Sequence, residues 1–145
     1  MRPTGKVYSY DVNEESVEIA KANLGRIGLA EYAEIKLMNV YEAIDQFGLD
    51  AALLDLPEPW RALPALYGAL RPSGRMATFS PTINQVERTV MAMEATGFLP
   101  TQTIEIIVRQ YRIKEGMSRP ETLMIGHTGY LTLAVKVADR RGLAP

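Results

Sequence analysis

Apolar positions along this chain change their period in a regular order. Residues 7–12, Val-Tyr-Ser-Tyr-Asp-Val, alternate and predict a strand. Asn13 then stands as an N-cap before Val17, Ala20, Leu24 and Ile27, which recur at helical spacing, and Gly28 falls just past their end. Residues 34–40 predict a second strand, and residues 41–47 a short helix ended by Gly48. The run over residues 49–54 is apolar except for Asp50 and predicts a buried strand that ends at Asp55, stopped by Pro57 and Pro59. A helix is expected over residues 61–70, a turn at Pro72-Ser73-Gly74, and a fourth strand over residues 75–80. Thr82 opens a further helix with Ile83, Val86, Val90 and Met93 on one side, closed by Gly97.

Beyond residue 100 the rhythm changes. Residues 101–113 predict a long strand, and residues 114–127 a polar loop holding Gly116, Pro120 and Gly126. Residues 130–137 predict a strand in which Leu131, Leu133, Val135 and Val137 alternate. Two successive strands with no helix between them pair antiparallel. The expected order is βαβαβαβαββ: an α/β fold with a mostly parallel, helix-covered sheet, finished at one end by a C-terminal antiparallel β-hairpin.

Composition narrows the chemistry. A chain of 145 residues is expected to be a single domain. It has no cysteine and one histidine, His127, which excludes disulfides, thiolate chemistry and Cys- or His-cluster metal sites, so no metal is expected. No apolar run is long enough to span a bilayer and the first residues do not form a signal peptide, so a cytoplasmic location is expected. The net charge of −1 conceals an asymmetry, −4 over residues 1–100 and +3 over residues 101–145. Arg109, Arg112, Lys114 and Arg119 carry most of the second excess, which permits a phosphate contact or is a solvated hairpin edge.

Asp55 is the sharpest candidate residue. It closes an apolar strand, where a charge is costly unless something uses it. In open α/β sheets the carboxyl ends of the strands border the ligand crevice. Trp60, restrained by Pro59, adds a flat ring just beyond. A carboxylate beside an aromatic suits a flat nitrogenous ligand such as a nucleobase.

Three motifs carry a resemblance: Leu54-Asp55-Leu56-Pro57-Glu58-Pro59-Trp60, Ser80-Pro81-Thr82-Ile83-Asn84-Gln85-Val86, and Arg119-Pro120-Glu121-Thr122 followed by Gly126-His127-Thr128-Gly129-Tyr130-Leu131. Over residues 5–137 the chain resembles class I S-adenosylmethionine-dependent methyltransferases from their second strand onward, and among them the tRNA adenine-N1 methyltransferases that modify the T-loop. The resemblance implies a Rossmann-like sheet, S-adenosylmethionine as cofactor, tRNA as substrate and a homo-oligomer, a tetramer in that family. The family's first strand and Gly-rich cofactor loop have no counterpart in this sequence. The catalytic domain is therefore expected to be truncated and to turn over little or not at all alone. The missing strand should leave a gap in the sheet or force residues 7–12 to pair with residues 49–55.

The resemblance also assigns roles, each with a plainer alternative. Asp11, with Val12, would hold the cofactor ribose, or Asp11 would cap the following helix. Asn39, with Val40, stands where the family commonly has an aspartate against the cofactor adenine, or is a turn residue. Asp55 would border the cofactor and anchor the target adenine catalytically, or be satisfied by backbone amides of residues 56–60. Pro57, Pro59 and Trp60 would shape the base pocket, or Trp60 would cap the core. Gln85 would meet substrate, whereas Thr82 is explained by capping. Arg119 and His127 would contact RNA phosphate or order the rim, and a lone histidine is more often structural. The rival function is a non-catalytic subunit or interaction module of the same fold. A dinucleotide-dependent oxidoreductase is disfavoured by the lack of a Gly-x-Gly-x-x-Gly fingerprint.

Overall fold

The computed structural model describes residues 4–137. Strands β1 (Val7–Asp11) and β2 (Ala33–Leu37) pair in parallel, Val7 opposite Ala33 and Asp11 opposite Leu37. Helix α1 (Glu14–Arg26) makes the crossover. Its N-cap is Asn13, whose side chain accepts from the Ser16 amide at 3.0 Å. Glu14 and Glu15 in the first turn and Arg26 in the last complement the helix dipole.

A second sheet contains β3 (Leu49–Asp55), β4 (Leu70–Ser80), β5 (Phe98–Glu105) and, after a short β6–β7 pair (Tyr111–Arg112 and Arg119–Pro120), β8 (Tyr130–Lys136). Their spatial order is β3-β4-β8-β5. β3 and β4 are parallel, and β8 runs antiparallel to both β4 and β5. Helices α2 (Pro59–Ala69) and α3 (Ile83–Thr96) connect β3 to β4 and β4 to β5. They cover one face, burying Leu63, Leu66, Met93, Phe98, Leu54, Met76 and Ala134 in one cluster. Pro59 begins α2, where its missing N–H costs nothing. Gly97 takes the left-handed conformation that ends α3, with φ 102°. Lys136 ties β8 to the end of α2, its ammonium donating to the Tyr67 and Leu70 carbonyls at 2.5 and 2.7 Å.

Several expectations need correction. The antiparallel pair is present at one end of the sheet; within it β8 lies between β4 and β5, which leaves β5 at the edge. Alternating apolar residues fix which face of β8 is buried and leave its neighbours unspecified. No helix forms over residues 41–47. The Asn39 side chain accepts from the Tyr41 amide and the Asn39 carbonyl from the Glu42 amide, a local turn that competes with helix. The Pro72-Ser73-Gly74 turn is a bulge within β4: Leu49 faces Leu70 while Ala51 already faces Arg75. Arg71 bridges it to Asp50 at 2.7 Å. The strand expected over residues 101–113 starts earlier and stops at Glu105, where its last partner on β8 is Tyr130. Of the two outcomes foreseen for β1, it pairs with β2 and not with β3.

The face of the second sheet away from α2 and α3 is open. Leu53, Ala77 and Leu133 stand in register across it, and Leu53 is 72% exposed.

Candidate active site

Asp55 is the last residue of β3 and lies in register with Phe79 of β4. Its neighbour Leu54 turns into the helix-covered core, so period-two alternation sends Asp55 to the open face. Phe79 pairs with Leu131, and Leu131 with Ile104, which sets an acid beside an apolar row. Phe79, Ile104, Ile106, Thr128, Gly129 and Leu131 line an open cleft of about 220 Å³ there. The Asp55 side chain is exposed and takes no hydrogen-bond partner among the described residues. The alternative in which backbone amides of residues 56–60 satisfy it is not what the chain adopts.

The turn after Asp55 is held from outside. Gln85, in the first turn of α3, donates from Nε2 to the Pro57 carbonyl at 3.0 Å. Its Oε1 accepts from the Thr82 amide at 3.2 Å and the Thr82 hydroxyl at 2.7 Å, within a capping box. One turn along, the Arg88 guanidinium sits 4.2 Å from the Trp60 ring centroid. The Glu58 amide donates to the Tyr41 hydroxyl at 3.3 Å, and Arg61 stacks over the Tyr41 ring. His127 Nε2 lies 2.7 Å from the Pro81 carbonyl, which accepts, so Nε2 carries the proton. The first two sequence motifs and the His127 end of the third thus meet around the start of α3.

The assigned residues fall into two groups. Asp55, Pro57, Pro59, Trp60, Gln85 and His127 come together at the ends of β3 and β4. Pro57 is exposed, Pro59 is buried as the first residue of α2, and Trp60 has one ring face under Arg88. Both polar ends of Gln85 are used internally. Arg119 is not brought in: its guanidinium bonds the Pro120 carbonyl and Thr122 hydroxyl of its own loop. Asp11, Val12, Asn39 and Val40 lie at the ends of β1 and β2. Asp11 Oδ1 accepts from the Asn13 amide at 2.8 Å, while Oδ2 has no partner among the described residues. Val12 is 71% exposed, and Val40 packs on the core. Asn39 spends Oδ1 on the Tyr41 amide and Nδ2 on Glu42.

Beneath these strand ends, Tyr10 donates to Asp45 at 2.8 Å, and Asp45 also binds Lys36. The Lys36 ammonium, then the phenol, hold the Asp45 carboxyl below its ordinary range. Burial, then the bond to Asp45, pushes the Tyr10 phenol far above its own.

Phe79, Arg88, Gly129 and Tyr41 are the contributors that sequence reasoning passed over. Phe79 occupies a strand end by the same logic that selected Asp55. Arg88 follows Gln85 by three residues on one helix edge, a spacing that puts both on the same neighbour.

Solved structures share this fold. An S-adenosylmethionine-dependent O-methyltransferase of Thermotoga maritima superposes with a TM-score of 0.86 at 36% identity, covering 94% of this chain and 52% of that one. The tRNA (m1A58) methyltransferase TrmI of Aquifex aeolicus superposes with a TM-score of 0.78 at 26% identity, covering 92% and 54%. The fold is that of the Rossmann-like S-adenosylmethionine-dependent methyltransferases. A family model described as the tRNA methyltransferase complex GCD14 subunit matches residues 1–118, and the chain belongs to that family. A curated relative, the tRNA (adenine(57)-N(1)/adenine(58)-N(1))-methyltransferase TrmI of Methanocaldococcus jannaschii, is 36% identical over 90% of this chain. The chain spans about half the length of such relatives, 56% of that one and 50% of the Thermus thermophilus enzyme.

Proposed function

We propose that this chain carries the base-binding part of a methyltransferase acting at N1 of a T-loop adenine in tRNA, with Asp55 as its catalytic carboxylate. The observation that carries the reading is the unpartnered Asp55 carboxylate at the open end of β3, in a member of a tRNA methyltransferase family. Adenine N1 already has a lone pair at neutral pH, so no strong base is needed. Asp55 accepts from the exocyclic amino group, orients the ring, and opposes the positive charge that grows on the base as N1 is alkylated. Because the carboxylate is bound to nothing else, it needs no rearrangement to do so.

S-adenosylmethionine, when bound, supplies the methyl group as a sulfonium-activated electrophile. The residues fit it in part. Asp11 Oδ2 is open to ribose hydroxyls, in charge-assisted bonds. Asn39 Oδ1 keeps one lone pair beyond its turn, so it accepts weakly where a carboxylate would accept strongly. Asp55 completes the cofactor's border, with exposed Val12 as an apolar contact beside Asp11 and Val40 packed behind Asn39. Turnover by the chain on its own is expected to be low.

A homo-oligomer belongs to the same reading. Ile106, Ile107, Val108, Ile113, Leu123 and Ile125 are all more than half exposed around the β6–β7 pair, an apolar surface that assembly would cover. Among the described residues no helix is long and apolar enough to cross a membrane, and no group of three or more His, Asp or Glu could hold a metal. The reading places the protein in the cytoplasm, where tRNA is modified.

The test is titration of the chain with S-adenosylhomocysteine by calorimetry, alongside methylation of unmodified tRNA by a full-length relative carrying the equivalent of Asp55→Asn. Saturable binding lost in Asp11→Ala, and loss of turnover without loss of tRNA binding in the aspartate variant, are the expected results. An aspartate variant with undiminished turnover would refute the role of Asp55. An unaltered assembly with no cofactor binding would favour the non-catalytic subunit.

A further inference from the structure

We propose that Gln85 and Arg88 are positioning residues: together they clamp the turn over residues 57–60 to α3 and thereby fix where Asp55 stands. The role of the clamp toward Asp55 rests on the methyltransferase reading, and the clamp itself rests on geometry alone. Residues 56–58 follow a strand and precede a helix that Pro59 starts without a side-chain cap. Leu56 packs on the core and the Glu58 amide donates to the Tyr41 hydroxyl at 3.3 Å, but no side chain of the turn bonds back onto it: the Glu58 carboxylate binds Arg61, onward in the helix, and the Asp55 carboxylate has no partner among the described residues. Its fixed points come from other elements. Gln85 takes the Pro57 carbonyl at 3.0 Å, and Arg88 covers the Trp60 ring at 4.2 Å. The two residues are three apart on one edge of α3, and the segment they hold is three residues long from contact to contact. The clamp therefore acts at both ends of the segment.

Gln85 performs two separable tasks. Its oxygen completes the capping box with Thr82, which any carboxamide or carboxylate can do. Its amide nitrogen donates to Pro57, which only the carboxamide can do. A residue needed for capping alone would be served as well by glutamate. Q85E therefore keeps the cap and deletes the clamp, and replaces the donor with an oxygen that repels the Pro57 carbonyl. Thr82→Ala does the reverse.

Trp60 is the only tryptophan in the chain, so its fluorescence reports on the clamped turn without interference. In Q85E the melting temperature should move by no more than about 2 °C, while collisional quenching of Trp60 by acrylamide should rise about twofold as the turn opens locally. Thr82→Ala should lower the melting temperature and leave quenching unchanged. Unchanged quenching in Q85E overturns the clamp, as does an equal rise in both variants, because helix fraying would then suffice. Should Q85E not fold, Arg88→Met keeps the bulk over the indole without its charge and carries the same expectation of increased quenching. In a preparation that methylates tRNA, Q85E should lower kcat by about 10- to 100-fold with little change in KM, the loss expected from small displacements of a reacting group. Exposed Trp60 with normal kcat would separate the turn from Asp55 and refute the positioning role. Because the chain alone is expected to turn over little, the kcat comparison is made where the parent methylates tRNA, and the fluorescence result judges the clamp by itself.

Discussion

Gly129→Ala tests whether the edge of the cleft beside Asp55 is as tightly built as its geometry implies. A Cβ on Gly129 would lie far inside contact distance of Phe79 Cε2 and Cζ. The atoms it meets are the far end of a side chain, and Phe79 is 37% exposed, so the ring can swing out. The cost is then the packing that the ring gives up. Full burial of a phenylalanine stabilises by roughly 1.5–3 kcal/mol, and about two thirds of that is at stake here, or about 1–2 kcal/mol. Against it stands the ordinary benefit of replacing glycine, about 0.4–1 kcal/mol through the unfolded chain. The net change is small, so a single variant decides little. The informative quantity is the coupling in a double-mutant cycle with Phe79→Ala, read from urea unfolding. With the ring gone, Gly129→Ala should become stabilising by about 0.4–1 kcal/mol. The coupling should therefore be about 1–2 kcal/mol. A coupling near zero would mean that Phe79 does not lie against Gly129 in solution, and the cleft described beside Asp55 would lose its wall.

Other expectations follow from the same structure. Leu66→Ala, at a core position 2% exposed, should cost about 2–5 kcal/mol in urea unfolding. Lys136→Met should cost about 1–3 kcal/mol, since two carbonyls at the end of α2 lose a charged donor. The pH dependence of stability should show two limbs. Asp45 and Glu34 have lowered carboxyls, so their contribution is present above the ordinary carboxylate range and lost as pH falls through their folded values. Tyr10 and Lys36 are raised, so theirs is complete below about pH 10 and lost as pH rises further. Tyr10→Phe should flatten the alkaline limb in chemical unfolding across pH, and an unaltered limb would show that the phenol is not held by Asp45.

Local signals in the sequence translated well into elements. Asn13 and Thr82 cap the helices that they were expected to cap, and the apolar residues of α2 and α3 form the core. Asp55 was legible because a strand end is a place that alternation and prolines define locally. What the pattern could not reveal depends on long-range neighbours. The insertion of β8 beside β4 leaves no mark in β8's own alternation. Asn39 is the turn residue its plainer alternative makes it, but no helix follows over residues 41–47, because an apolar count does not register a side chain that bonds the nearby backbone. Gln85, a polar residue near a strand end, looks free for substrate in the sequence, because its partner, the Pro57 carbonyl, lies 28 residues away along the chain.

The place of β8 also dictates when the sheet can form. Among the described residues β5 has no strand partner except β8, and β4 meets it only through β8. During synthesis β4 and β5 emerge first and must wait for the chain to reach Tyr130. At about 5–20 residues per second, that is an interval of several seconds between Ser80 and Tyr130. Over that interval β4 presents an open ladder of backbone donors and acceptors to whatever is nearby. The nascent chain is thus most exposed to mispairing and to chaperone capture while Ser80 is already outside the ribosome and Tyr130 is not. Synonymous changes that slow translation of the β6–β7 region would lengthen that window without altering a single residue.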